Sequence, residues 1–285
     1  MRFHQSTAQV FIPDGKSVPE AFSRITHLGI GAHQDDLEFM AFHGILACYR
    51  QETKWFGGVT CTNGAGGVQC GRYASHSDEQ IRAIRREEQN LAAQIGQYGA
   101  MFHLDHPSSA VKKAEETELR DDLIAVLHAT QPHVVYTHNP ADKHETHIGV
   151  VVAVIEAIRD LPMAQRPREV YGCEVWRDLD WMPDDSKVVH DVGGRDHLAA
   201  ALNGVFDSQI TSNKRYDLGV IGRRQANATF FESHAADCSE SIAFAMDLAP
   251  LARDETLDLA DHVDALIEQF RLDVRRKLLA RMRRR

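Results

Sequence analysis

The chain has 285 residues, 43% of them hydrophobic, and a formal net charge of -9 from 32 Lys+Arg against 41 Asp+Glu. This apolar content excludes a disordered chain, and the length suits one large α/β domain. Five scattered cysteines without C-x-x-C spacing exclude a disulfide scaffold, and the longest apolar run, Ile148–Ile158, falls well short of a bilayer span and contains Glu156.

In chain order, Met1–Gln9 lacks the apolar core of a signal peptide, so the expectation is a reduced, cytoplasmic protein without a membrane partner. Ile25–Gly31 reads as a buried strand, followed by a helix over Leu37–Arg50. Trp55–Thr62 is a second strand, ending in the glycine-rich turn Asn63–Gly67. Apolar spacing predicts a helix over Asp78–Tyr98, and Ala100–Leu104 reads as a third strand. Asp121–Thr130 lies in a helix, His133–His138 is a fourth strand, and Thr146–Arg159 is a helix. Glu169–Trp176 and Lys187–Asp191 read as strands joined by a polar loop. Helices follow over Asp196–Gln209, Asn213–Thr229 and Leu257–Met282. This alternation predicts a Rossmann-like, mostly parallel sheet with helices on both faces and a site at the carboxyl ends of its strands. Domain organisation reads as one domain over 1–285: an N-terminal extension (1–23), a catalytic α/β domain (24–245) and a C-terminal helix with an arginine-rich tail (246–285).

Chemistry gathers at two strand ends. The first strand runs into Ala32-His33-Gln34-Asp35-Asp36, where His33 and Asp36 are three apart and can face one point. Taken alone, these aspartates are better explained by capping the next helix. The fourth strand ends in His138, and its loop leads to His144 and His147, again three apart at a helix start. His33, Asp36 and His147 would together form a two-His, one-carboxylate set with positions left open for water and substrate, the pattern of a catalytic metal site. Zinc fits this set, and iron(II) or another divalent metal is an alternative. Asp35, adjacent but not a ligand, is placed to take a proton from water. His144 is placed to stabilise an oxyanion or protonate a leaving amine. These are the parts for amide hydrolysis. His103, His106 and His138 lie near strand ends and are candidates to line the pocket, with His138 the best of them.

The same residues resemble the LmbE-like (PIG-L) de-N-acetylase family, typified by N-acetylglucosaminyl deacetylases. Gly31-Ala32-His33-Gln34-Asp35-Asp36 is similar to its A-H-x-D-D signature, Thr62-Asn63-Gly64 to its T-N-G turn, and Arg85-Arg86-Glu87-Glu88 before Leu91-Ala92-Ala93 to its R-x-x-E-x-x-x-A helix. Leu104-Asp105, His144-x-x-His147, Ser208-Gln209, Arg223-Arg224 and Ser239-Glu240-Ser241 continue the resemblance over roughly residues 24–245. It implies zinc on His33, Asp36 and His147, Asp35 as general base, His144 as its electrostatic or acid partner, and Arg85 and Asp105 as substrate contacts. A helix surface charge and a turn cap explain the last two equally well. The chain departs from the family at Gln34, where Pro is usual, at Glu145-Thr146 within H-P-D-H, and at Phe206, where a histidine commonly precedes Ser-Gln.

The expected function is removal of an N-acetyl or related acyl group from a small-molecule amino sugar or glycoconjugate. Two alternatives remain: a metal-dependent hydratase of a small unsaturated acid, and a catalytically silent metal- or sugar-binding module. Trp176, Trp181 and the loop between them are candidates to cover the pocket. Residues 271–285 hold eight Lys/Arg against one Asp. No aromatic residue interleaves with them and the rest of the chain is acidic, so the expectation is docking on the protein's own acidic surface or a neighbouring subunit rather than on nucleic acid. The amphipathic terminal helix suits a homo-oligomer.

Overall fold

A computed structural model describes residues 1–67, 70–212 and 214–282. It contains an eight-stranded sheet: β1 (Gln9–Phe11), β2 (Ile25–Gly31), β3 (Trp55–Thr62), β4 (Ala100–His106), β5 (Val134–His138), β6 (Glu169–Cys173), β7 (Lys187–Asp191) and β8 (Ile242–Asp247). Their order is β1-β4-β3-β2-β5-β6-β8-β7. The five strands from β4 to β6 are mutually parallel, whereas β1 at one end and β8 and β7 at the other join through antiparallel pairings. Residues 56–62 of β3 and all of β4 and β5 are buried, as expected of strands covered on both faces.

Alternate strand residues feed two apolar cores. Leu28, Ile30, Val59 and Phe102 pack with Leu123, Val151 and Ile155 from the helices Glu118–Thr130 and Glu145–Arg159. Phe56, Met101 and Tyr136 pack on the other side with Leu37, Phe42 and Leu202. The helix Asp78–Ile95 starts in a capping box between Ser77 and Gln80. The helix expected over Leu37–Arg50 is two helices, Asp36–Met40 and Phe42–Cys48, separated at Ala41. That expected over Asp196–Gln209 is likewise divided, into Asp196–Gly204 and Asp207–Ile210.

From β2 the chain crosses to β3 on one side, and from β5 to β6 on the other. The carboxyl ends of β2 and β5 therefore flank the switch point of the sheet, where the diverging connections leave a crevice. Two strands escape the sequence reading. Three-residue β1 lies in the N-terminal extension and pairs with β4, while β8 inserts between β6 and β7 and runs past residue 245.

The C-terminal helix spans Leu259–Leu279. Its cations pair within the helix, Arg271 with Glu268 and both Arg276 and Lys277 with Asp273. Among the described residues, no ion pair joins this basic segment to the rest of the chain. Arg283–Arg285 and Asn213, the expected start of a helix seen at Tyr216–Phe230, lie outside the described residues. No described helix is long and apolar enough to cross a membrane.

One buried contact ties the later half of the chain to this frame. Ser208 donates its backbone N–H and its hydroxyl to the Glu88 carboxylate, at 2.7 and 2.6 Å. Removing the acceptor strands both donors, so Glu88→Ala is expected to cost roughly 1–3 kcal/mol. Glu88→Gln, which keeps an acceptor, should cost less. Urea unfolding of the three proteins measures the order.

Candidate functional site

The segment Ala32–Asp36 is held from two directions. Thr62 donates its backbone N–H and hydroxyl to the Ala32 carbonyl, at 2.9 and 2.8 Å, and Gln34 Nε2 donates to the Thr62 carbonyl at 3.0 Å. From the far side Gln209 Nε2 donates to the Gln34 carbonyl. Gln34 thus uses the amide that a proline would lack, and Ser208-Gln209 fastens the later half of the chain onto the loop. Asp35 is held at φ 103°, in the left-handed region that aspartate seldom occupies, and its N–H donates to Gln89 Oε1 at 3.2 Å.

Asp36 Oδ2 lies 3.3 Å from His33 Nδ1, 3.3 Å from His138 Nε2 and 3.5 Å from His147 Nε2. His147 Nε2 is in turn 3.3 Å from His33 Nδ1. On its other nitrogen, His147 Nδ1–H donates to Asp142 Oδ2 at 3.2 Å, which leaves Nε2 as a lone pair facing Asp36 and His33. Burial pulls His147 down to about 4, so the ring is neutral near pH 7. For Asp36 burial acts to raise the pKa, but electrostatic interaction with His147 and His138 and hydrogen bonding with the neighbouring rings hold the carboxyl well below the usual range. A buried carboxylate and two imidazole nitrogens converging on one point are the donor chemistry of a divalent-metal centre. His138, Asp142 and His147 also cluster. Asp142, however, is taken up by the backbone N–H groups of Lys143, His144 and Trp176 and by His147. It orients His147 from behind, a role the sequence reading missed.

Asp35 differs from its neighbour. It lines the cavity in front of the donor set, and among the described residues its carboxylate accepts no hydrogen bond. Burial and the adjacent Asp36 push its pKa well above the ordinary range, opposed by the charge of Arg85. Arg85 is itself cradled by the glycine-rich turn. Its guanidinium donates to the Gly64 carbonyl, and a Cβ at Gly67 would fall 2.1 Å from its Nη2. Gly64, at φ +69°, supplies the bend. His144 caps the helix Glu145–Arg159 by accepting the Thr146 N–H at Nδ1, 3.3 Å away. The cap places the ring proton on Nε2, and burial, with His33 nearby, lowers the pKa so that the ring stays neutral. His144 also lines the cavity.

The cavity measures about 600 Å³. His33, Asp35, Asp36, His144 and Arg85 share its wall with Trp176, Gln209 and Tyr216. The structure does not bring every candidate there. His138 is fully buried: its Nε2 accepts the Ala32 N–H at 2.9 Å and its ring stacks on His147 with centroids 3.7 Å apart. It backs the donor set and does not face the cavity. Asp105 lies apart from the cavity because Arg82 and Arg86 hold its carboxylate at 2.9 and 2.6 Å. His103, bonded to Thr60 and Asn90, and His106, bonded to Asp122, are core residues because β4 continues through both. Trp181 packs against the core, Trp176 stands at the cavity, and Phe206 is buried near Phe39.

Residues 28–158 match the family model described as PIG-L: GlcNAc-PI de-N-acetylase. The chain carries a PIG-L domain. The match begins in β2 and ends in the helix that carries His147, so it encloses both strand ends of the site. No curated protein matches the sequence. Among solved structures, the chain is similar to the 4-carboxy-2-hydroxymuconate hydratase GalB from Pseudomonas putida KT2440, at 17% identity over 79% of this chain and 96% of that one, with a TM-score of 0.58. It is similar to the N,N'-diacetylchitobiose deacetylase from Pyrococcus horikoshii, at 16% identity over 81% and 88%, with a TM-score of 0.57. It is also similar to the conserved protein TT1542 from Thermus thermophilus, at 16% identity over 78% and 93%, with a TM-score of 0.61. At these identities the likeness is one of fold.

If Asp142 fixes the lone pair of His147, Asp142→Asn should weaken metal binding by about 10–100-fold while the protein stays folded. Competition against a chromophoric chelator, with circular dichroism as the folding control, measures this. Unchanged affinity would remove Asp142 from the site.

Proposed function

We propose that the PIG-L domain hydrolyses the amide of an N-acylated amino sugar or glycoconjugate, with a divalent metal, zinc first among them, held by His33, Asp36 and His147. The observation that carries this reading is the contrast between adjacent carboxylates. Asp36 is surrounded by imidazole nitrogens, whereas Asp35 faces the cavity with no described hydrogen-bond partner on its carboxylate. A binding-only site has no use for the second, buried and held at a strained φ. When bound, the metal would acidify a water and polarise the scissile carbonyl.

The chain's own groups divide the remaining work. Asp35 accepts a proton from the attacking water: burial and Asp36 raise its proton affinity, and the nearby charge of Arg85 opposes them in favour of the ionised form. His144, with its proton fixed on Nε2 by the helix cap, donates to the oxygen that gains negative charge as the carbonyl is attacked. Trp176 and Tyr216, with ring centroids 5.9 Å apart, give the cavity an aromatic wall suited to a sugar face. Arg85 and Gln209 offer donors to hydroxyl groups. On this layout Asp105 and His138 act from outside the cavity, Asp105 on the helix Asp78–Ile95 and His138 behind the donor set.

Acetate release from a panel of N-acetylated sugars and sugar conjugates tests the reaction. Turnover of at least one member is expected, and Asp35→Asn should lower kcat by about 10²–10⁴-fold with metal content retained. Full activity in that variant would overturn the assignment of Asp35. Hydration of an unsaturated dicarboxylic acid without acetate release from any amide would favour the hydratase chemistry instead.

A further inference from the structure

The charge around the cavity runs against the charge of the protein. The chain as a whole is acidic, at -9, yet Arg85, Lys112, Lys214, Arg215 and Arg223 all line the cavity, and its only carboxylates among the described residues are Asp35 and Asp36 on the floor. Two of the five cations are occupied: Lys112 lies 3.6 Å from Glu145, and Arg215 forms a two-point pair with Asp217. The other three have no carboxylate within 4 Å among the described residues. Lys214 stands over the Trp176 ring at 5.3 Å, and Arg223 donates to the Val175 carbonyl. Arg85 is only 5% exposed, its Nε has no partner among the described residues, and its described hydrogen bond is to Gly64. A buried guanidinium with no carboxylate in direct contact is costly, and an anion that reached it would complete it. A neutral sugar would need hydroxyl contacts, not three cations without a carboxylate in direct contact around one cavity.

We infer that the substrate of this site carries an anionic group, a carboxylate or a phosphate, received by Lys214 and Arg223 at the mouth and drawn inward by Arg85. The inference rests on the deacylase reading for the reaction, but not for the binding. Two charge-assisted contacts at the mouth correspond to about 100-fold in affinity, weakening as salt rises.

The test compares N-acetylglucosamine with its 6-phosphate and with N-acetylmuramic acid, which separates phosphate from carboxylate as the source of charge. Preference is read as the ratio of kcat/KM, anionic over neutral. The ratio is expected to be about 100 for at least one of the two anions, and to fall about ten-fold or more in the double variant Lys214→Gln/Arg223→Gln and on raising the ionic strength. Calorimetric binding of glucose 6-phosphate and gluconate against glucose, on the protein as purified, gives a readout free of turnover and should show the same loss in the double variant. Equal use and equal binding of neutral and anionic compounds, or a preference that the double variant leaves intact, would overturn the inference. If no amide is hydrolysed but charge-dependent binding is present, the deacylase reading fails and the anion site stands.

Discussion

The arrangement turns on what surrounds one oxygen. Asp36 Oδ2 sits in the sheet crevice within 3.5 Å of nitrogens from three histidines, two of them fully buried. A carboxylate in such a place needs compensating partners, and the His147 ring, neutral near pH 7, presents it with a lone pair. Much of the local structure serves this grouping. Thr62 and Gln209 fix the loop before Asp36, Asp142 turns the His147 lone pair inward, and His138 closes the space behind. The switch point between β2 and β5 is what brings residues 33–36 and 144–147, over a hundred positions apart in sequence, to the same point.

Much of this was legible because strand ends announce themselves. The runs Ile25–Gly31 and Trp55–Thr62 stop where polar residues begin, and the i, i+3 spacing of His33/Asp36 and His144/His147 needs only a helix start to become a shared face. Misplaced residues trace to small shifts of such boundaries. Two further residues of β4 carry His106 into the core beside His103, which the expected strand already contained, and the positive φ of Asp105 aims its carboxylate at two arginines of the neighbouring helix. β8 was not legible because it pairs with strands about 75 and 55 residues away, with no local turn to mark it.

The positioning residues show a different limit. Asp142 stands in plain view five residues before His147, but its value lies in which nitrogen of that ring it touches, and spacing does not specify this. Arg85 was singled out as a contact to substrate, yet the structure adds a grip on the glycine-rich turn and an electrostatic link to Asp35. Lys214 and Trp176 come from separate loops beyond the matched residues 28–158. The family match therefore encloses the reacting groups, while part of the wall that selects the substrate comes from outside it. Composition hinted at neither: a net charge of -9 conceals a cavity whose charged side chains are mainly cations.

The central claim is that His33, Asp36 and His147 together bind a catalytic metal. Its most direct test is elemental analysis of protein purified without added metal, alongside His33→Ala. The account predicts one divalent ion per chain, lost in the variant while the fold is retained. A folded protein that neither contains nor takes up a stoichiometric metal, or one that keeps it in His33→Ala, would contradict the account.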